Sequence, residues 1–503
     1  MRLTVDDRAV EVAPGASLLE AARAAGVEVP TLCWDPRISA GGSCRVCMVR
    51  VAGKDEPVAA CATLAEGGQV VVTEDPAALD AARGSLELIV SELPARALEI
   101  PADRSELVRA CEQLGVGGTR FRGAHHDSGT DDSHPYVKLD RDLCIACGRC
   151  VRMCDEVQGT FALAMVGRGF DSVVAPGAGG PWAESDCVAC GACVDSCPTG
   201  ALAEPGLLDP RPIEQTTTTT CGFCGVGCTL EVHTRDAEVA SIAPTLDAPV
   251  NRGHACVKGR FAHGFATSPD RLTQPLVRTG GELVEASWDD ALCRIGEGLR
   301  KIIDESGPDA VAAISSARTT NEENYLVQKL MRVAIGTNNV DNCARICHAP
   351  SAAGLAASFG LGGGTNCFED LDRADVFLLA GSNPTEAHPV VGARIKQRVI
   401  GGAGLVVVDP RRIELADYAD VHLRPRPGTN VAVFNGLAGV LINEGLIDTG
   451  FIESRTEGFD ELAALVRDYP PERVEEISSV PGERWWRRLG CTARWESRRP
   501  SGA

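Results

Sequence analysis

The densest chemistry in this 503-residue chain lies between Cys221 and Lys258. Cys221, Cys224 and Cys228 share a glycine-rich loop, CGFCGVGC, and after a gap of 27 residues comes Cys256-Val257-Lys258-Gly259. Four soft thiolates, three of them close together, suit an iron-sulfur cluster, and the lysine two positions past the last one sets a fixed cation beside it. A second set, Cys33, Cys44, Cys47 and Cys61, has uneven gaps of ten, two and thirteen residues. Gly41-Gly42 would let backbone N–H groups pass close to a cluster there, and four thiolates also suit tetrahedral zinc.

Two further runs repeat one spacing. Cys144, Cys147, Cys150 and Cys154 are followed by Cys187, Cys190, Cys193 and Cys197, with Pro198 after the second run. This resembles the bacterial two-cluster ferredoxin, in which the fourth cysteine of each run ligates the other cluster. The resemblance implies two crossed 4Fe-4S sets, Cys144, Cys147, Cys150 with Cys197, and Cys187, Cys190, Cys193 with Cys154. His125, His126 and His134 precede the first run in a Gly/Asp/Ser-rich stretch that reads as a solvated linker.

The elements that must hold these thiols are partly legible. Residues 2–12 alternate around Asp6-Asp7, a hairpin pattern, and Ser17-x-x-Glu20 is a capping box opening a short helix closed by Gly26. A hairpin followed by a helix begins a β-grasp fold. With Cys33, Cys44, Cys47 and Cys61 it resembles the 2Fe-2S domain of complex-I-like and formate dehydrogenase electron-transfer subunits. Chains of that kind usually carry a His and three Cys next, for a further 4Fe-4S cluster. Here the corresponding positions are Leu93, Ala97, Ile100 and Ser105, so that cluster is expected to be absent and Cys111 to be a helix-packing thiol. The run Thr216–Thr220 reads as a connector.

Beyond Arg271 strands and helices alternate. Ser287-x-x-Asp290 caps a helix with Leu292, Ile295, Leu299 and Ile302 on one face, Val311–Ile314 is a strand, and Thr320-x-x-Glu323 caps a helix ending at Gly336. Strands 375–381 and 405–409, separated by one helix, complete an α/β pattern with ligand sites at strand carboxyl ends. Cys221, Cys224, Cys228, Cys256 and Lys258 match the 4Fe-4S site of molybdenum/tungsten bis-pterin oxidoreductases. Gly381-Ser382-Asn383-Pro384 with Glu386 and His388, Asp409 with Arg411, and Gly428-Thr429 after Arg426 resemble, in order, that family's loops over the pterin guanine dinucleotide. Cys347-His348 resembles the place where formate dehydrogenases set a metal-ligating Cys or selenocysteine followed by His. The resemblance makes Cys347, His348 and Lys258 the catalytic candidates, while Cys293, Cys343, Cys367 and Cys491 read as structural.

The chain is thus similar to the large subunit of cytosolic NAD-linked formate dehydrogenases, in the molybdopterin oxidoreductase superfamily. The expected fold is multidomain, α+β then α/β: a β-grasp 2Fe-2S domain (1–78), a degenerate cluster region (79–120), a two-cluster ferredoxin domain (136–208), a 4Fe-4S domain (214–272) and a partial molybdopterin-binding α/β region (273–503). The implied cofactors are one 2Fe-2S cluster, three 4Fe-4S clusters and molybdenum or tungsten bis-molybdopterin guanine dinucleotide. The implied partners are formate, a flavin/NAD diaphorase-type subunit and a small 2Fe-2S subunit. The alternative is an electron-transfer subunit without molybdenum, resembling the large iron-sulfur subunit of NADH:quinone oxidoreductase; a nitrate reductase ranks third.

Composition agrees with several globular domains, at 44% apolar and 23% charged residues. A net charge of −20 argues against nucleic acid and anionic membrane surfaces. No secretory leader and no membrane-length apolar run is visible, so a cytoplasmic protein is expected, and most of the 22 cysteines fall in tight groups that favour metal over disulfides. Residues 484–503 hold six Arg, one acid and three of the six Trp. Their contrast with the preceding sequence suggests a frameshifted or prematurely ended reading frame.

Overall fold

The computed structural model describes residues 1–482 apart from Ala178 and Pro210; the Arg/Trp-rich tail, with Cys491, lies outside the described residues. The chain divides into two compact units, residues 1–261 with 371 onward, and residues 262–370.

In the first unit, strands Arg2–Val5 and Arg8–Glu11 form the expected hairpin, with Asp6 and Asp7 at φ 45° and 66° supplying the left-handed pair of a type I′ turn. Ser17 and Glu20 make the complete capping box of helix Leu18–Ala24. That helix buries Leu18, Leu19, Ala21 and Ala22 against a five-stranded sheet in which Arg2–Val5 pairs parallel with Val70–Val72, the β-grasp arrangement. The region after it is helix Pro76–Ser91, a 3-10 turn, and helix Glu106–Leu114, broken at Pro94 and Pro101, which a continuous helix would not tolerate.

Thr216–Thr220 is no connector. It belongs to strand Gln215–Thr220, the edge of a three-stranded antiparallel sheet with Thr229–Arg235 and Glu238–Pro244. Five consecutive β-branched residues favour a strand, and a polar edge avoids further pairing. Near the end of the described chain, strands Val376–Ala380, Gly404–Val408 and Val421–Leu423 pair parallel in that order, so Ala380, Val408 and Leu423 end side by side. Two helices, Pro384–Ala387 and Pro389–Ile400, replace the single one expected, because Pro389 starts a new helix after His388.

The second unit holds helix Trp288–Ser306 capped by Ser287, the parallel pair Ala313–Ser315 and Val340–Asn342, and helix Asn321–Lys329 with a Thr320–Glu323 capping box. The final turns before Gly336 are π-helical. Leu292, Ile295 and Ile302, expected on a core-facing stripe, are exposed.

Candidate functional site

Both ferredoxin-type runs use one local device. Ala146 and Ala189 adopt positive φ, and Gly148 and Gly191 are left-handed N-caps of the short helices Arg149–Arg152 and Ala192–Asp195. This turns backbone N–H groups towards sulfur: Ala146 N–H reaches Cys144 Sγ and Ala189 N–H reaches Cys187 Sγ, each at 3.4 Å. Ala162 N–H meets Cys154 Sγ at 3.1 Å, and Leu202 N–H meets Cys197 Sγ at 3.4 Å.

The eight thiols line two cavities. One has Cys144, Cys147, Cys150 and Cys197 in its wall; the other has Cys187, Cys190, Cys193 and Cys154. These are the crossed sets. Cys221, Cys224, Cys228 and Cys256 line a third cavity. Each of the three walls thus brings four thiols together, the number of cysteine ligands a 4Fe-4S cluster takes.

The donor chemistry fits as well. Burial pushes Cys147, Cys190 and Cys228 up to about 12 and raises Cys150 and Cys193 well above the ordinary thiol value. Thiolates in such places need a compensating cation, which a cluster's iron supplies. In the second cavity the indole N–H of Trp182 and the hydroxyl of Thr160 are buried without a hydrogen-bond partner among the described residues. They are donors for which cluster sulfur would be an acceptor.

At the N-terminal site Cys33 is hydrogen-bonded to Cys44 and Cys61, and Cys47 to Cys61, so the four thiols share one locus. Those bonds hold Cys33 well below the usual thiol range and raise Cys44 and Cys61. Gly41 makes room for a side chain as well as for backbone, since a Cβ there would lie 2.8 Å from Arg152 Nη2. Arg152 Nη2 donates to Cys33 O at 2.8 Å and Cys147 O at 3.4 Å, joining ligand residues of two predicted clusters. The intervening region has no thiolate set. Leu93 and Ala97 are buried in an apolar core with Leu107 and Cys111, Ile100 packs against it, and buried Ser105 caps helix Glu106–Leu114.

His125 and most of its neighbours are exposed, as in the solvated linker expected, but the other two histidines have packing partners. His126 stacks on Phe170 at 4.2 Å, and His134 is only 8% exposed, against Trp182 and close to Cys187. The Asp/Ser/Gly composition around them hid this, because burial here comes from the distant Trp182 and Phe170.

Lys258 lies in helix Val257–Phe261, and its Nζ donates to Glu386 O at 2.9 Å. Pro389 and Val390 form part of the third cavity's wall. The cluster site and the 381–388 loop are therefore in direct contact. Gly381 (φ 56°), Ser382 and Asn383 follow strand Val376–Ala380, with buried Pro384 opening the next helix. Asp409 and Arg411 follow strand Gly404–Val408, and Gly428 (φ 87°) and Thr429 follow Val421–Leu423 and precede the 14-residue helix Asn430–Asn443. All three loops sit along one carboxyl edge, with N–H groups of a helix start in reach. Asp409 is 2% exposed and accepts from Arg411 N–H at 2.8 Å, so its carboxylate shapes its own loop while Arg411 points outward. Arg426, by contrast, is spent on the carbonyls of Glu476 and Ile477.

Residues 271–479 match the molybdopterin oxidoreductase family model and residues 214–268 its Fe4S4 domain. Together the two models make residues 214–479 similar to molybdopterin oxidoreductases. Ahead of it, residues 1–76 match a 2Fe-2S iron-sulfur cluster binding domain and 134–203 the ferredoxin-like domain of NADH-quinone oxidoreductase subunit 3. Relatives include a Bacillus subtilis protein named "Probable oxidoreductase YjgC", 32% identical over 96% of this chain and 53% of that one. A Staphylococcus aureus protein named "Putative formate dehydrogenase SAB2186c" is 33% identical over 95% and 53% respectively. The chain spans about half the length of the curated relatives it matches. A chain of an NAD+-reducing NiFe-hydrogenase aligns at 30% identity over 42% of this chain and 91% of its own, with a TM-score of 0.38. No helix among the described residues is long and apolar enough to cross a membrane.

Cys347 and His348 fall in the second unit, where Cys347 ends the exposed helix Ala344–Cys347 and His348 Nε2 pairs with Gly362 O at 3.2 Å. Donation to that carbonyl places the His348 proton on Nε2 and leaves Nδ1 as the basic atom. Cys293, Cys343 and Cys367, read as structural, are exposed too, and Cys367 Sγ donates to Asp370 Oδ2 at 3.4 Å. Cys111 is the packing thiol expected of it, and burial pushes it up to about 11. Native alkylation at pH 8 should thus label Cys293, Cys343 and Cys367 and spare Cys111, whose thiolate fraction is about a thousandth there. Peptide mass spectrometry reads this; rapid labelling of Cys111 would contradict its packing role.

Proposed function

We propose that this chain is the catalytic chain of a formate dehydrogenase, oxidising formate to CO2, a proton and two electrons at a molybdenum or tungsten bis-pterin guanine dinucleotide centre. The bound metal–pterin group would supply two-electron redox chemistry. The observation that carries the reading is the Lys258–Glu386 contact, which joins the third thiol cavity to the first strand-end loop. Gly381, Ser382, Asn383, Pro384, Glu386 and His388, with Arg411, Gly428 and Thr429, would hold the dinucleotide, and Asp409 would shape the second loop. Cys347 would bind the metal as thiolate. His348 Nδ1 would accept the proton of formate, its ring fixed by Gly362.

Electrons would leave past Lys258 through the Cys221 cluster to the ferredoxin pair. The Arg260 side chain, which packs against Gly191, and Arg152, which bridges Cys147 and Cys33, support contacts in that order. The 2Fe-2S centre would pass them to a flavin/NAD-binding partner, a reading supported by the NADH-quinone oxidoreductase type of the ferredoxin-like module. That same match favours the second reading, an electron carrier without molybdenum.

Anaerobic purification with metal analysis and a formate:viologen assay separates the two. About one molybdenum or tungsten per chain with formate-dependent viologen reduction is expected, together with about 14 iron atoms, one 2Fe-2S and three 4Fe-4S clusters' worth. Iron without molybdenum or tungsten would favour the carrier. About 18 iron atoms would show that a further cluster forms after all.

A further inference from the structure

His134 stands in the wall of the cavity lined by Cys187, Cys190, Cys193 and Cys154. Its Nδ1 accepts two backbone N–H bonds, from Tyr136 at 3.2 Å and Val137 at 3.0 Å. An atom that accepts two N–H groups carries no proton, so the ring hydrogen is on Nε2. Nε2 faces Cys187 Sγ at 3.8 Å, within reach of an N–H···S bond. Trp182 on one side, with its ring centroid 5.1 Å away, and Tyr136 on the other fix the imidazole plane.

The two halves of the repeat differ at this point. Cys144, the counterpart of Cys187, is met by backbone N–H groups. In its set the side-chain contact is the Thr199 hydroxyl, 3.7 Å from Cys197, where either atom could donate. The imidazole is a directed donor by virtue of its fixed tautomer. Reduction adds negative charge to a cluster and its thiolates, and a donor to a ligand sulfur stabilises that charge more than the oxidised state.

We propose that His134, through Nε2–H to Cys187, raises the reduction potential of the Cys187/Cys190/Cys193/Cys154 cluster above that of its partner and makes it the preferred resting place for an electron within the ferredoxin pair. This rests on the reading of those four cysteines as cluster ligands. His134 is a positioning residue for charge and touches no substrate.

The test is an EPR-monitored redox titration of the anaerobically reconstituted full chain, with the signal of this cluster assigned by its loss in Cys190→Ser. His134→Asn keeps a short acceptor for the Tyr136 and Val137 N–H groups and removes the distal donor. It should lower the equilibrium constant for reduction about tenfold, about 59 mV for a one-electron couple, and leave the other clusters unmoved. His134→Gln returns an N–H near the Nε2 position and should recover most of the shift. An iron-complete His134→Asn protein with the wild-type midpoint overturns the proposal. If that variant loses iron, pulsed EPR on wild-type protein carrying 15N-histidine decides: a histidine nitrogen coupled to this signal supports the donor role, and none overturns it. A wild-type protein with no ferredoxin-type signals and correspondingly low iron would instead overturn the ligand reading, and the proposal with it.

Discussion

Gly191→Ala should destabilise the ferredoxin-like region by about 5 kcal/mol and strip iron from it. Gly191 sits between Cys190 and Cys193 at φ 74°, and a Cβ there would lie 2.3 Å from Arg260 Nε. Arg260 cannot withdraw. It is 1% exposed, its two Nη atoms grip Asp195 at 2.6 and 2.7 Å, and it is also bonded to Glu204. Burial raises Glu204 towards its neutral form, while Arg260 opposes that shift. Pushing the guanidinium aside would strand two acids in a dry site, worth about 3–5 kcal/mol, on top of about 1–2 kcal/mol for a left-handed alanine. The repeat supplies its own control. Gly148 has nearly the same φ, 70°, but nothing within 4 Å of a Cβ, so Gly148→Ala should pay only the backbone cost. Iron content and the temperature at which the visible cluster absorbance bleaches would read both, with a fall of about 10 °C or more for Gly191→Ala. Equal behaviour of the two variants would remove Arg260 from the explanation.

That contrast also shows what sequence can and cannot carry. The repeated thiol spacing carried the resemblance to two-cluster ferredoxins that implied the crossed sets, and capping boxes such as Ser17–Glu20 follow from local hydrogen bonding. Gly148 and Gly191, equivalent in sequence, differ in consequence only because Arg260 arrives from a helix about 70 residues downstream of Gly191. His134 was misread for the same reason. Its neighbours are polar, and only the fold brings Trp182 and Cys187 onto it. The threonine run misled differently, since its polarity outweighed its β-branching when no partner strand was in view. At the strand-end loops, residue type located the edge correctly but not each side chain's task. Asp409 turns inward to its own loop and Arg426 to Glu476 and Ile477.

Lys258→Met should slow formate-driven reduction of the Cys221 cluster about a hundredfold while leaving iron content unchanged. Gly259 packs so tightly that a Cβ there would be 3.3 Å from Cys221 Sγ, and Pro389 and Val390 contribute to the same cavity's wall. Between these the Lys258 ammonium, half-buried, is fixed on Glu386 O. A cation held there needs no reorganisation as negative charge passes from the strand-end loops towards the cluster, and partial burial strengthens its field. Methionine keeps most of the side-chain volume and loses only charge and donor. Lys258→Arg restores the charge with a different donor geometry and should recover part of the rate. If Lys258 were simply a tie between helix Val257–Phe261 and the 381–388 loop, methionine would lower the bleaching temperature but spare the ratio of formate-driven to dithionite-driven cluster reduction. Stopped-flow absorbance with each reductant measures that ratio, and an unchanged value in Lys258→Met would reduce the lysine to a structural pin.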